Sequence, residues 1–137
     1  MPPTIDEVVE RARRRLVRVT PEQAAAELAQ GALVVDIRTE SDRTVEGEIP
    51  GAIAIDRTVL EWRLDPTSPS RLDEAKDHQV RVIVVCAEGY SSSLAAASLQ
   101  DIGMLNATDL IGGFKAWKAA GLSVKPWVPK PSDPTRF

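Results

Sequence analysis

Cysteine is almost absent from this chain, since Cys86 is the one cysteine among 137 residues. An internal disulfide is therefore excluded, and any second thiol that a reaction at Cys86 required would come from a partner or a small molecule. Histidine is equally scarce, with His78 alone. Because a protein zinc site ordinarily needs at least three protein ligands, His78 and Cys86 do not form one.

Long apolar runs are missing as well. No stretch approaches the roughly 20 apolar residues that cross a bilayer, and the start MPPTIDEV lacks the basic end and apolar middle of a secretory signal. We therefore expect a cytoplasmic protein with no membrane partner. The net charge of -3 and the lack of a nucleic-acid-binding motif argue against DNA or RNA as a partner.

Strand-like and helix-like segments alternate along the chain. Runs of β-branched and apolar residues predict strands at residues 33–37, 52–55, 80–85 and 107–111, and helical spacing or capping signals predict helices at 5–17, 21–30, 59–64, 91–102 and 114–120. This order predicts an α/β fold with a central, mostly parallel sheet of about four to five strands and helices on both faces. Such sheets bind ligands at the carboxyl ends of their strands, and Cys86 follows one of them.

Cys86 stands where the predicted strand 80–85 gives way to a short loop and a helix. Gly89 supplies a position in that loop that is free to adopt a positive φ, and Ser91, Ser92 and Ser93 are candidate N-caps. Unpaired N–H groups and the helix dipole at such a terminus favour negative charge, which predicts a site for an anionic sulfur. A lone cysteine after an apolar strand is also typical of a small core residue. The glycine and the serines favour the reactive interpretation, because a core cysteine needs neither.

Four segments resemble the motifs of one enzyme family. The loop CAEGYSS at residues 86–92 resembles the active-site loop C-x-x-G-x-[RST]-S of the rhodanese, or thiosulfate sulfurtransferase, family. VVDIR at 34–38, EIPGAIAI at 48–55 and GGFKAWKAAGLSV at 112–124 resemble further family motifs in order and spacing. The resemblance implies one rhodanese-like domain over residues 20–124. The residue pattern outside it predicts a basic amphipathic helix in residues 1–19 and a proline-rich tail at 125–137.

The resemblance also implies a chemistry. Cys86 would take sulfane sulfur from a donor, become a persulfide, and pass the outer sulfur to a thiophilic acceptor such as a thiol or cyanide. The residues implied to hold that sulfur are Ala87, Glu88, Gly89, Tyr90, Ser91 and Ser92. Asp36 and Arg38 are implied to brace the scaffold. No metal and no organic cofactor is implied, and the donor stays open among thiosulfate, a polysulfide and a protein persulfide.

Two loop residues bear on the choice of donor. Ser91 stands where many family members have arginine, so the loop lacks a fixed cation for an anionic donor. Glu88 places negative charge near the entrance, which favours a neutral or protein-borne donor. Arg57 and Arg63 are candidates to supply positive charge near the loop from elsewhere in the fold.

Two other functions compete with sulfur transfer. Phosphatases of the C-x5-R type also place a cysteine thiolate under loop amides, but their arginine, which binds phosphate, is replaced here by Ser92, and this argues against dephosphorylation. A noncatalytic rhodanese-like module that binds or regulates a partner is the main alternative. The intact Cys86 and Gly89 count against it, since a binding module needs no thiol there.

The two ends of the chain carry less information. Residues 5–17 have helical apolar spacing with several arginines around it, which we interpret as a solvated helix packing one stripe on the core, in preference to a docking surface. Phe114 and Trp117 are three residues apart and are expected to pack in the core. The proline-rich tail is expected to be extended, with Trp127 as its anchor.

Overall fold

Helices and strands alternate along the polypeptide, as the sequence predicts. The computed structural model describes residues 1–129. Its helices are α1 (Ile5–Arg14), α2 (Pro21–Ala29), α3 (Glu40–Glu46), α4 (Leu60–Leu64), α5 (Ser91–Asp101) and α6 (Gly113–Ala119), with a 3-10 turn at Arg57–Val59 before α4. Its strands are β1 (Leu33–Asp36), β2 (Ile53–Ala54), β3 (Val82–Val85) and β4 (Ala107–Asp109).

The strands form one parallel sheet in the order β2-β1-β3-β4. In its register, Val84 of β3 lies between Val35 of β1 and Asp109 of β4. The expected α/β fold is confirmed, with four strands in the described part of the chain. Because β3 has a neighbour on each side, its carboxyl end opens near the middle of the sheet, and Cys86 follows it directly.

The side chains of β3 alternate between two apolar cores. Val82 and Val84 join the core that α4 and α5 cover, whereas Ile83 and Val85 join the core that α2 and α6 cover. All four residues of β3 are buried, which explains its uninterrupted apolar run. Phe114 and Trp117 of α6 lie in the second core, as predicted.

Two local differences from the predicted elements have physical causes. The strand predicted from residue 80 begins at Val82, and the side chain of Arg81 turns away to donate from Nε to Glu27 Oε1 at 2.7 Å. Helix α3 is not among the predicted helices, because it carries almost no apolar residue and Val45, the exception, is exposed. Capping by Thr39, whose side chain accepts from the Asp42 amide, begins it.

Helix α1 packs against α5. It ends at Arg14, three residues before the predicted end at residue 17. A capping box between Thr4 and Glu7 begins it, and Val9 and Ala12 form the expected buried stripe. Arg15, which follows the last residue of the helix, is exposed and donates from Nη2 to Asp101 Oδ1 of α5 at 2.6 Å.

The segment after α6 returns to the body of the fold. Lys125 forms an isolated antiparallel bridge with Glu48. Trp127 is buried and lies under the Arg43 guanidinium, 4.7 Å from the ring centroid to Cζ, so it acts as the expected anchor. The rest of the predicted tail, residues 130–137, lies outside the described residues. No helix within residues 1–129 combines the length and the apolar character that crossing a membrane requires.

Candidate active site

The Cys86 thiol lies inside a ring of backbone amides. Cys86 is 7% exposed, and its Sγ accepts hydrogen bonds from the Gly89 N–H at 3.2 Å and the Ser92 N–H at 3.3 Å. The sulfur also faces the N-terminus of α5. Amide dipoles and a helix N-terminus both stabilise negative charge, so the surroundings suit an anionic sulfur.

The sulfur takes the place of a helix cap. Serine N-caps were predicted for α5, and this was wrong: Tyr90 occupies the N-cap position without a side-chain cap bond, and the helix begins at Ser91. An N-cap side chain normally accepts from the second or third amide of its helix. Here Cys86 Sγ accepts a hydrogen bond from the second amide of α5, that of Ser92. The serine hydroxyls therefore do not cap the helix and make other contacts.

Ser92 and Ser93 instead bind a buried carboxylate. Their hydroxyls donate to Asp109 Oδ2 at 2.7 and 2.8 Å, and Asp109 at the end of β4 is fully buried. Arg18 completes the cluster, because its Nε lies 2.9 Å from Asp109 Oδ1. This network ties the outer side of the Cys86 loop to the neighbouring strand. Sequence reasoning missed it, since a single aspartate at a strand end is an unspecific signal.

Gly89 has the positive φ that the sequence predicts, at +87°. A Cβ there would lie 2.7 Å from the backbone nitrogen of Gly112, in the turn between β4 and α6. The loop and this turn are therefore in backbone contact. Only glycine meets both the conformational and the steric requirement.

The first turn of α6 supports the loop from behind. The amides of Phe114 and Lys115 donate to the carbonyls of Cys86 and Ala87 at 2.8 and 3.1 Å. Gly113 allows this approach, because a Cβ there would lie 2.5 Å from the Cys86 carbonyl oxygen. Sequence reasoning missed this role, because Gly113 and the loop it supports are far apart along the chain.

A cleft of about 330 Å³ opens beside the thiol. Cys86, Ala87, Glu88, Tyr90 and Ser91 form one wall, and the other includes Arg38, Thr39 and Asp42, which follow β1. Within residues 1–129, the backbone N–H groups of Glu88, Tyr90 and Ser91 donate no hydrogen bond. The loop thus retains donors that a ligand in the cleft is able to use.

Among residues 1–129, Arg38 is the arginine that lines the cleft, and it is already paired. Arg38 donates from Nη2 to Asp36 Oδ2 at 2.8 Å and to the Gly47 carbonyl at 2.7 Å, and its guanidinium lies 3.7 Å from the centroid of the Phe114 ring. The Asp36 carboxylate also accepts from the Arg38 backbone amide. Because both side chains are almost fully buried, the pair connects the segment after β1 to the core and adds little positive charge to the cleft.

The candidate cations Arg57 and Arg63 do not line this cleft. Arg57 pairs with Glu61 at 3.0 Å, and Arg63 donates to the Ser70 carbonyl at 2.7 Å. Glu88 has Lys115 as a neighbour, with Nζ 3.8 Å from Oε1, but both side chains are largely exposed and such a pair is weak. Among the described residues that line the cleft, the charged groups without a buried ion-pair partner are therefore the carboxylates of Glu88 and Asp42.

Comparison with known proteins identifies the family. The model of the rhodanese-like domain matches residues 20–120. This chain belongs to the rhodanese-like family. A thiosulfate sulfurtransferase, GlpE, from Pseudomonas fluorescens is 37% identical over 102 residues, which are 74% of this chain and 84% of that protein. The GlpE of Haemophilus influenzae is 33% identical over 106 residues, 77% of this chain and 91% of that protein. With such relatives the chain is a rhodanese-type sulfurtransferase, and the enzyme class that the loop motif implies is confirmed.

Solved structures include a relative that covers more of the chain. A protein of unknown function from Rhodopseudomonas palustris, described as a possible tyrosine phosphatase, has a TM-score of 0.80 and 31% identity. The match covers 91% of this chain and 99% of that one. It therefore extends beyond the 101 residues, 20–120, that the family model matches.

Proposed function

We propose that Cys86 is the nucleophile of this sulfurtransferase and carries the transferred sulfur as a persulfide. One observation carries the proposal: the sole thiol accepts hydrogen bonds from two loop amides at the mouth of a cleft, with further unpaired amides beside it. These amides are fixed donors that stabilise negative charge without reorganising during the reaction. Residues 87–92 are the sulfur-binding loop in this proposal, and Asp36 and Arg38 brace the scaffold.

In the first step the Cys86 thiolate attacks the sulfane sulfur of the donor. A bond forms between Sγ and that sulfur while the bond joining the sulfur to the rest of the donor breaks, and the donor leaves with the bonding electron pair. Thiosulfate would leave as sulfite, and a polysulfide or persulfide would leave one sulfur shorter. The product is a Cys86 persulfide whose terminal sulfur carries negative charge close to the loop amides.

In the second step the acceptor attacks the terminal sulfur and Cys86 leaves as a thiolate. Cyanide would become thiocyanate, and a thiolate would become a persulfide. The amides of Gly89 and Ser92 already contact Sγ and stabilise the charge that returns to it. The same loop therefore serves both half-reactions, and a cytoplasmic location would supply the reduced thiols that act as acceptors.

The charge at the cleft favours a donor other than a small dianion. Glu88 and Asp42 face the cleft, while the Arg38 charge is neutralised by Asp36. We therefore propose that a neutral organic polysulfide or a protein persulfide loads Cys86 faster than thiosulfate does.

Replacing Glu88 by glutamine should speed loading by thiosulfate. At an assumed separation of roughly 7 Å in aqueous surroundings, removing one negative charge lowers the repulsion of a dianion by about 1.2 kcal/mol, or about sevenfold in rate, falling to about twofold at physiological salt. The measurement is the loading rate with thiosulfate at low and at high salt, with Asp73→Gln as a control on an exposed carboxylate that does not line the cleft. Equal rates for wild type and Glu88→Gln at low salt would contradict the electrostatic argument.

Intact-mass spectrometry tests the proposed function. The protein is incubated separately with thiosulfate, with a polysulfide and with a cysteine desulfurase that carries a persulfide. We expect the mass of one sulfur to be added, located on Cys86 by peptide mapping, and removed by cyanide or a thiol. If no donor adds sulfur while Cys86→Ser binds a partner as well as wild type does, the noncatalytic module is the better interpretation. Hydrolysis of p-nitrophenyl phosphate that depends on Cys86 would favour a phosphatase instead.

A further inference from the structure

The carbonyl oxygen of Gly89, in the centre of the Cys86 loop, accepts hydrogen bonds from two arginines. Arg13 Nη2 donates to it at 2.7 Å and Arg18 Nη2 at 3.0 Å. Arg13 belongs to α1 and Arg18 to the segment that follows, so both come from outside residues 20–120, which the family model matches. Two guanidiniums thus meet at one loop carbonyl, with the charge of Arg18 balanced by Asp109, and a charge-assisted hydrogen bond is about twice as strong as a neutral one.

Both guanidiniums are held in place by other contacts. Arg18 is fixed by its bidentate pair with the buried carboxylate of Asp109, at 2.9 and 3.2 Å. Arg13 also donates from Nε to Ser93 Oγ at 3.1 Å, and its Cζ lies 5.1 Å from the centroid of the Tyr90 ring. The Gly89 carbonyl is therefore directed toward a rigid group of donors.

Peptide geometry carries this effect into the loop. The carbonyl of Gly89 and the N–H of Tyr90 belong to one planar trans peptide and point in opposite directions. With its oxygen held by two guanidiniums, this peptide directs the Tyr90 N–H away from them, and the cations polarise that N–H further. Tyr90 lines the cleft beside Cys86, and its N–H has no acceptor within residues 1–129.

We propose that Arg13 and Arg18 are positioning residues, which hold the peptide between Gly89 and Tyr90 so that its N–H binds the sulfur being transferred. This inference rests on the proposed persulfide at Cys86. The cations act through the backbone from outside the loop, on the side opposite the cleft. The basic N-terminal helix is accordingly part of the catalytic unit, and positive charge reaches the loop although Ser91 supplies none.

The test uses variants of Arg13 in the full chain. Arg18 is less suitable, because its removal leaves the buried Asp109 carboxylate without its ion-pair partner, which destabilises the fold. Arg15 provides a matched control, since it also joins the end of α1 to α5, through Asp101 and the Ala97 carbonyl, but makes no contact with the loop.

Single-turnover loading of Cys86 is measured for wild type, Arg13→Gln, Arg13→Lys and Arg15→Gln. Removing a direct donor to a developing anion costs roughly 100- to 1000-fold, so an indirect loss should slow loading about tenfold in Arg13→Gln. Arg13→Lys keeps a charged donor and should recover most of that loss, while Arg15→Gln should load at the wild-type rate. Equal loading by Arg13→Gln and Arg15→Gln would overturn the proposal, as would Arg13→Lys loading no faster than Arg13→Gln.

The amide resonance of Tyr90 separates this inference from the proposed function. Loss of a cation from the Gly89 carbonyl should move the Tyr90 amide proton upfield in Arg13→Gln and leave it in place in Arg15→Gln. If wild type fails to load sulfur although the Tyr90 amide proton moves upfield in Arg13→Gln, the proposed function is wrong. The proposal that this peptide binds the transferred sulfur is then wrong as well. If wild type loads sulfur and the Tyr90 amide proton has the same chemical shift in Arg13→Gln as in wild type, the proposed function stands and the positioning role is overturned.

Discussion

Replacing Cys86 by serine should abolish sulfur transfer while leaving the fold intact. Thiocyanate formation from a sulfur donor and cyanide is expected to fall at least about a thousandfold, because a serine hydroxyl is scarcely ionised at neutral pH and does not form a persulfide. The serine oxygen is still able to accept from the Gly89 and Ser92 amides, which now donate to Sγ. The measurements are the rate of thiocyanate release and the free energy of unfolding in denaturant.

Cys86→Ala is the matched control for the role of the amides. It should be as inactive as Cys86→Ser but less stable by about 1 to 3 kcal/mol, because the two amides lose their acceptor in a buried site. Residual transfer by either variant would show that another group carries the sulfur. Equal stability of the two variants would show that the amides do not depend on an acceptor at position 86.

Replacing Gly89 by alanine should have the second-largest effect. A φ of +87° costs alanine roughly 1–2 kcal/mol. The added Cβ would also lie 2.7 Å from the Gly112 nitrogen, so either the loop or the turn before α6 has to move. We expect unfolding to become easier by about 2 to 4 kcal/mol in total. Loading of Cys86 should slow about a hundredfold, because the Gly89 N–H is displaced from the sulfur.

Gly121 offers the control for this substitution. Its φ is +76°, yet a Cβ there would meet nothing within 4 Å. Gly121→Ala should therefore cost only the conformational part, about 1–2 kcal/mol, and leave the loading rate unchanged. If Gly89→Ala loads sulfur at the wild-type rate and is no less stable than Gly121→Ala, the conformation of the Cys86 loop does not depend on its contact with the turn before α6.

Local sequence signals were sufficient for the parts of the fold that depend on neighbouring residues. The apolar run at β3 predicted a buried parallel strand, and Gly89 predicted the positive φ of the loop. The capping box of α2, in which Thr20 and Gln23 bind each other's backbone amides, was readable in the same way. Each of these features is determined within a few residues along the chain.

Features that depend on distant residues could not be predicted in this way. Ser92 and Ser93 were expected to cap α5, but they bind Asp109, 17 and 16 positions further along. Arg13 was expected to be a solvated charge, yet it binds a carbonyl 76 positions away. Helical periodicity shows which face of α1 is apolar and contains no information about what its polar face meets. The support of the Cys86 loop is therefore visible only in the assembled fold.

A crystal structure of the protein after treatment with a sulfur donor is the most direct test of the central claim, which is that the loop amides hold negative charge on the transferred sulfur. We expect density for one additional sulfur bonded to Cys86 Sγ, within hydrogen-bond distance of the Tyr90 or Ser91 amide. A loaded protein whose extra sulfur lies elsewhere, or points away from every loop amide, would contradict the claim.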